Sequence, residues 1–384
     1  MKVLVCPSGF KGSINPGTAA DCIEKGILRV MPTATVHKVP LADGGEGFIH
    51  ALVAAAGGTI RKVTVTGPIR QPIRSFYGIL ANVPVKTAVV EMAAAAGLSQ
   101  VPKHCRNPCL TTTFGVGQLI SAALDEGAEK IIIGCGDSGT SDGGAGMLQA
   151  LGARLVGRDG QDLPRAAGGQ SLVSLAGVDF SKMHPRLKKV SIEAVCNWTN
   201  VLCGPQGVAR VYGPQKGASP NQVEVLESAL RTYATVIHRT IGVNVCDSPG
   251  SGASGGLGAG LLLIGAKLRP RYDAITEYFH LENMFADCDL IITAEGGIDD
   301  QTPRGKIPAE VAVRARERNI PVIVLAGTVG KGAMVNYDVG IGAFTSILQG
   351  PCNLDEAVRD AERLLTDAAE GAMRMVAIGQ RLAL

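Results

Sequence analysis

The run Lys130-Ile131-Ile132-Ile133-Gly134-Cys135-Gly136-Asp137-Ser138-Gly139-Thr140-Ser141-Asp142-Gly143-Gly144 decides the fold class. Consecutive isoleucines closed off by glycine predict a short buried strand. A helical stretch follows over residues 145–151. Strand, glycine turn and helix in that order form the βα unit from which parallel α/β proteins are built. Gly134-Cys135-Gly136-Asp137-Ser138-Gly139 also fits G-x-G-x-x-G in the setting of a dinucleotide fingerprint. Two features weigh against that reading. The turn continues through 140–144, which delays the helix, and no strand ending in Asp or Glu stands ~20 residues later, where the chain is loop-rich around Arg158-Asp159-Gly160. The turn therefore suits a phosphate of another kind better than a dinucleotide.

The alternation extends outward from this unit. Residues 3–6 and 35–40 read as strands flanking a helix over 18–30. Residues 64–66, 75–80 and 87–92, separated by turns such as Gly67-Pro68, read as an antiparallel meander. A helix over 117–126 leads into the 130–133 strand, and 155–190, with Pro164, Gly168-Gly169 and Pro185, reads as loop-rich. Then come a strand over 191–196, a long helix over 222–240, a glycine-dense run over 250–260 and an apolar helix ending near 267. Strands over 289–293, 321–326 and 343–348 close the pattern. Both ends of the chain share the βα rhythm, and the middle does not. The expected architecture is α/β in two domains: a Rossmann-like parallel-sheet lobe from 1–62 and 285–384, and an inserted mixed α/β domain over 63–284, with a cleft between them.

Composition narrows the function. Of 384 residues 50 are glycine, nearly twice the ~7% of an average protein, yet 46% are hydrophobic. That excludes a disordered chain. The net charge of +3, with no basic run longer than a pair, argues against nucleic acid as a partner. The longest uncharged stretch, 248–266, opens in Gly and Ser and does not make a ~20-residue membrane span. Ten cysteines form no C-x-x-C pair, and six histidines form no ligand cluster. The cysteines read as reduced and structural, and the expected location is cytoplasmic, with a monomer or homodimer as the assembly.

Other motifs dissolve on inspection. Gly252-Ala253-Ser254-Gly255-Gly256 matches a nucleophile elbow, but His280 is the only histidine after Ser254, and Asp273 stands close before it. The Ser, acid, His order of an α/β-hydrolase has no room there. Gly136-Asp137-Ser138-Gly139 resembles a serine-protease signature in the wrong, βα, setting. Walker A is absent.

What survives is a set of charged residues embedded in glycine. Lys11 stands in Gly9-Phe10-Lys11-Gly12-Ser13, and Asp43 and Glu46 in Leu41-Ala42-Asp43-Gly44-Gly45-Glu46-Gly47. Asp142 follows Ser138 in the opening run, and Lys216 lies in Gly213-Pro214-Gln215-Lys216-Gly217. Glu295 and Asp299 belong to Thr293-Ala294-Glu295-Gly296-Gly297-Ile298-Asp299, with Arg304-Gly305-Lys306 after them. Many follow an expected strand, where open α/β sheets bind ligands. Carboxylates there can hold Mg²⁺, lysines can neutralise phosphate, and glycines let backbone N–H groups approach oxygen. Phosphoryl transfer needs little more than such positioning and charge.

At these residues the chain resembles the glycerate kinase family of bacterial sugar-acid catabolism. The resemblance runs essentially end to end. It is carried by 41–47, Glu91-Met92-Ala93-Ala94-Ala95-Ala96-Gly97-Leu98, 142–149, Leu202-Cys203-Gly204-Pro205, 213–218, 255–261 and 299–306. It implies two α/β domains and transfer of the ATP γ-phosphate, with Mg²⁺, to D-glycerate, giving 2-phosphoglycerate. Implied catalytic residues are Asp43, Glu295, Asp299 and Lys11. Substrate or phosphate contacts would come from Glu46, Ser138, Asp142, Lys216, Gly255, Gly256, Arg304 and Lys306, and metal contacts from Asp43, Asp142 and Glu295. The chain departs from the family pattern at several points. Ser8 replaces an Asp, Ser141 an Asn, Asp137 a Gly and Asn197 an Asp. Gly297 stands where the family carries Arg in E-G-R-I-D. These departures keep two alternatives open: a kinase for a different small hydroxy acid, or a non-catalytic metabolite-binding relative.

Overall fold

A computed structural model describes residues 1–10, 12–42, 44–279 and 284–382. The chain begins with β1 (Lys2–Val5), α1 (Pro16–Val30) and β2 (Thr35–Lys38). It continues through α2 (Phe48–Ala56), β3 (Gly58–Thr66), β4 (Pro72–Leu80), β5 (Thr87–Glu91), α3 (Met92–Ala96), α4 (Phe114–Asp125) and β6 (Lys130–Gly134). Next are α5 (Ala145–Ala150), β7 (Arg154–Gly157), β8 (Leu175–Asp179), β9 (Ser191–Cys196), α6 (Val208–Tyr212) and α7 (Pro220–Ile241). After α8 (Ala253–Leu263), β10 (Lys267–Pro270) and α9 (Arg271–Tyr278) come β11 (Leu290–Ile298), α10 (Ile307–Arg316), β12 (Val322–Val329) and β13 (Ala343–Ser346). The helices α11 (Leu354–Arg359) and α12 (Ala361–Leu382) end the chain. Two compact units result, Met1–Asp43 with Ile275–Leu384, and Gly44–Ala274.

The first unit holds a five-stranded sheet in the order β13-β12-β11-β1-β2, parallel throughout. Val3 and Val5 join a core with Ile23, Ile27, Leu365 and Ala369, while Leu4, pointing the other way, is buried too. Burial on both faces explains why these strands read as unbroken apolar runs. Gly26 lets α1 and α12 meet closely, since a Cβ there would lie 2.5 Å from the Thr366 carbonyl oxygen.

The second unit holds a six-stranded mixed sheet, β10-β9-β6-β5-β4-β3. The meander β3-β4-β5 is antiparallel, as its turns predict, and β5, β6, β9 and β10 run parallel. Around it α7 buries Val223, Leu226, Leu230, Tyr233 and Ile237 at helical spacing. A Ser219–Gln222 capping box starts that helix and Gly242, at φ 74°, ends it.

The structure differs from the sequence expectation at several elements. Residues 44–62 pack in the second unit, because Ile49 and Val53 of α2 lie against Gly78 of β4. The 155–190 stretch contains the β7–β8 hairpin, and β10 adds a parallel strand to a region read as lacking the βα rhythm. β11 runs on through Glu295 to Ile298, paired with β12. Among the described residues no helix is long and apolar enough to cross a membrane.

Candidate active site

In the second unit the site is built on the ends of β5, β6 and β9. Gly134 closes β6, and the Cys135 N–H donates to the Val195 carbonyl at 2.9 Å. The loop 44–47 rests directly on this turn. A Cβ on Gly136 would stand 2.5 Å from the Gly45 Cα, and one on Gly134 would stand 2.6 Å from the Phe48 ring. Backbone therefore meets backbone, which only glycine permits. Asp137, at φ 49°, accepts the Glu46 N–H through Oδ2 at 3.2 Å, and its carbonyl accepts the Leu98 N–H at 2.8 Å. The Glu46 side chain is exposed. Beneath the loop, the buried Glu91 carboxylate accepts the Ile49 N–H at 3.2 Å, while the Phe48 N–H donates to the Gly45 carbonyl at 3.2 Å. Burial pushes Glu91 up to about 7, against the pull of the Ile49 N–H.

The 138–146 segment carries the second group. Lys216 is buried, and its Nζ donates to Ser138 Oγ at 2.8 Å and to the Thr140 carbonyl at 2.6 Å. Burial pushes this lysine down to about 7, while the Asp142 charge works the other way. The Thr140 and Ser141 hydroxyls are buried here without a hydrogen-bond partner among the described residues. Asp142, expected as a substrate and metal contact, is buried and hydrogen-bonded within the protein. Its carboxylate is 1% exposed and accepts from Thr113 N (2.7 Å), Thr113 Oγ1 (2.9 Å), Gly144 N (3.1 Å), Gly146 N (3.2 Å) and Thr112 Oγ1 (3.3 Å). With Thr113 capping α4 and Gly144 preceding α5, it pins two helix starts. Gly255 and Gly256, expected at a phosphate, serve close packing. With Ser254 they take left-handed backbone inside α8, and a Cβ on Gly255 would fall 1.8 Å from the Thr140 carbonyl oxygen.

In the first unit the charged groups gather past β11. Lys306, just before α10, donates to the Gly297 carbonyl at 3.0 Å and lies 3.4 Å from Asp299 Oδ1. That oxygen also accepts the Gln301 N–H at 3.0 Å and the Thr302 hydroxyl at 3.2 Å. Burial works to raise the Asp299 carboxyl, but the Gln301 N–H, Lys306 and Thr302 together hold it below the usual range. Asn336 ties the Asp299 carbonyl at 2.8 Å. Glu295 is half-buried within β11, opposite Ala326, and does not lie in a loop beyond the strand. Ser8 donates through Oγ to the Ala294 carbonyl at 2.9 Å. Asn197 accepts Thr199 N–H and hydroxyl, closing a local turn.

Lys11, Asp43 and the Arg304 side chain lie outside the described residues. Among those described, no group of three or more His, Cys, Asp or Glu could hold a metal ion. Reading the sequence for charge in glycine finds Lys216 and the 295–306 cluster. It passes over Glu91, which stands in an apolar segment, and Asn336, which is remote in sequence from Asp299.

Comparison with known proteins places this arrangement. The model of the glycerate kinase family matches residues 3–377. The chain is 43% identical over 370 residues to "Glycerate kinase" of Bacillus subtilis, covering 96% of each. It is 43% identical over 382 residues to "Glycerate 2-kinase" of Escherichia coli, covering 99% of each. A crystal structure described as putative glycerate kinase 2 from Salmonella typhimurium aligns over 100% of both chains, with a TM-score of 0.82 at 43% identity. The chain thus belongs to the glycerate kinase family, enzymes that are kinases acting on a hydroxyl group.

Proposed function

We propose that the protein transfers the γ-phosphate of ATP to D-glycerate, forming 2-phosphoglycerate. The observation that carries this is the full-length, 43% identity to the E. coli protein named glycerate 2-kinase. The geometry supports it: each unit presents charged groups at the carboxyl ends of parallel strands, where such sheets take ligands. Lys306 with Arg304 in one unit, and Lys216 with Ser138 in the other, supply phosphate or carboxylate contacts. Lys11, Asp43 and Glu46 serve the hydroxy acid. Glu295 and Asp299 fit Mg²⁺, which commonly takes one or two protein carboxylates and its remaining ligands from nucleotide and water. Bound there, the ion would neutralise charge developing on the transferred phosphoryl group. One of the same carboxylates takes the proton from the attacking hydroxyl. Ten free thiols fit a reducing, cytoplasmic setting.

A coupled ADP-release assay over D-glycerate, L-glycerate and other short hydroxy acids tests the reading, with the product resolved as 2- or 3-phosphoglycerate. Turnover with D-glycerate giving the 2-isomer is expected, and its absence sinks the proposal. Gly297 favours a second reading, a kinase for a different hydroxy acid. Gly297→Arg separates the two. A Cβ there would meet only the rotatable Thr328 hydroxyl at 3.0 Å, so the side chain can be built. One charge-assisted contact, ~1.5–3 kcal/mol, should raise kcat/KM for glycerate about tenfold or more. A fall in activity toward glycerate, with another acid preferred by the wild type, favours the second reading.

A further inference from the structure

Glu91 is a buried carboxylate to which the motif chemistry gives no part. It is the last residue of β5, 3% exposed, and makes no ion pair among the described residues. It accepts the Ile49 N–H at 3.2 Å, where the 44–47 loop turns into α2. That helix has no cap of its own. Gly47 occupies the N-cap position at φ 92° and offers no side chain, where Ser, Thr, Asp or Asn would ordinarily serve. The acceptor comes instead from a strand more than forty positions away in sequence. Glu91 also pairs across the sheet with Gly134, the residue whose missing side chain admits Phe48 and the Gly44 carbonyl. One rung of the β5–β6 ladder thus meets the loop twice, by hydrogen bond from Glu91 and by contact at Gly134. Asp137 adds a further hold on the Glu46 N–H.

We propose that Glu91 is the positioning residue of the 44–47 loop, its carboxylate fixing the turn into α2 so that Glu46 is held ready for the hydroxy acid. The proposal rests on the reading of that loop as the substrate-binding segment. In its ionised form a carboxylate suits the task because both oxygens then only accept, whereas glutamine could turn an NH₂ group toward the N–H donor.

Glu91→Gln, assayed with the intact enzyme, should raise KM for D-glycerate about tenfold or more with kcat changed less than about threefold. The thermal midpoint should stay within a few degrees, and the Ile49 amide should exchange faster with deuterium. Glu91→Asp, which keeps the charge but withdraws it by one methylene, should recover part of the KM. If E91Q does not fold, E91D carries the test: a raised KM is expected, and a wild-type KM overturns the proposal. A folded E91Q with unchanged KM, or one whose only defect is thermal, overturns it as well. A wild-type enzyme silent toward D-glycerate fails the substrate reading instead. The exchange measurement then decides the brace alone, unchanged exchange at Ile49 overturning it.

Discussion

Lys216 shows how differently one residue reads in sequence and in space. Its glycine-rich surroundings mark it as a phosphate-handling lysine, but nothing in them says that it is buried with Ser138 and the Thr140 carbonyl as partners. Those partners stand more than seventy positions earlier, beyond any local pattern. Burial gives this lysine a folded-state pKa of about 7, below the 10.5 of the free group. Between those values the unfolded chain holds a proton that the folded chain has lost, so this group makes stability rise as pH increases from about 7. Between about pH 7 and 8.5, below the titration of free thiols, the thermal midpoint should therefore rise more steeply with pH in the wild type than in Lys216→Met. Equal slopes would contradict the burial argument.

At the scale of elements, strands were more legible than helix starts. The Ser191–Cys196 strand matches its expected span because a half-polar run between loops marks both ends. α2, by contrast, carries His50 as its one polar residue, so no clear polar stripe announces it. The surroundings of Asp142 are hidden in the sequence for a related reason. Its acceptor capacity is taken by Thr112 and Thr113 at the start of α4 and by two N–H groups at the start of α5, and a lone Asp-Gly-Gly carries no sign of the first pair. Replacing it by alanine strands three backbone donors in a buried place, each worth ~1–3 kcal/mol. Asp142→Ala should lose about 3 kcal/mol or more in denaturant titrations. A stable variant lacking only activity would favour the ligand role.

For the whole molecule, alternation of strand and helix is enough for the α/β class, since the first sheet is parallel throughout and β5, β6, β9 and β10 of the second run parallel too. The division of the chain was harder to read. The boundary after residue 43 falls inside a glycine loop, and α2 joins the second unit through contacts with β4 that no compositional shift foretells. The same division has a consequence for synthesis on the ribosome. The larger unit is one continuous stretch, whereas β1 of the smaller unit, ending at Val5, lies between β2, which follows it closely, and β11, which begins only at Leu290, about 285 residues later. At roughly 5–20 residues per second, β1 waits on the order of tens of seconds for that neighbour. In the nascent protein the second-born unit can finish first, and the first-born strand must be kept from wrong partners until the carboxyl-terminal third emerges.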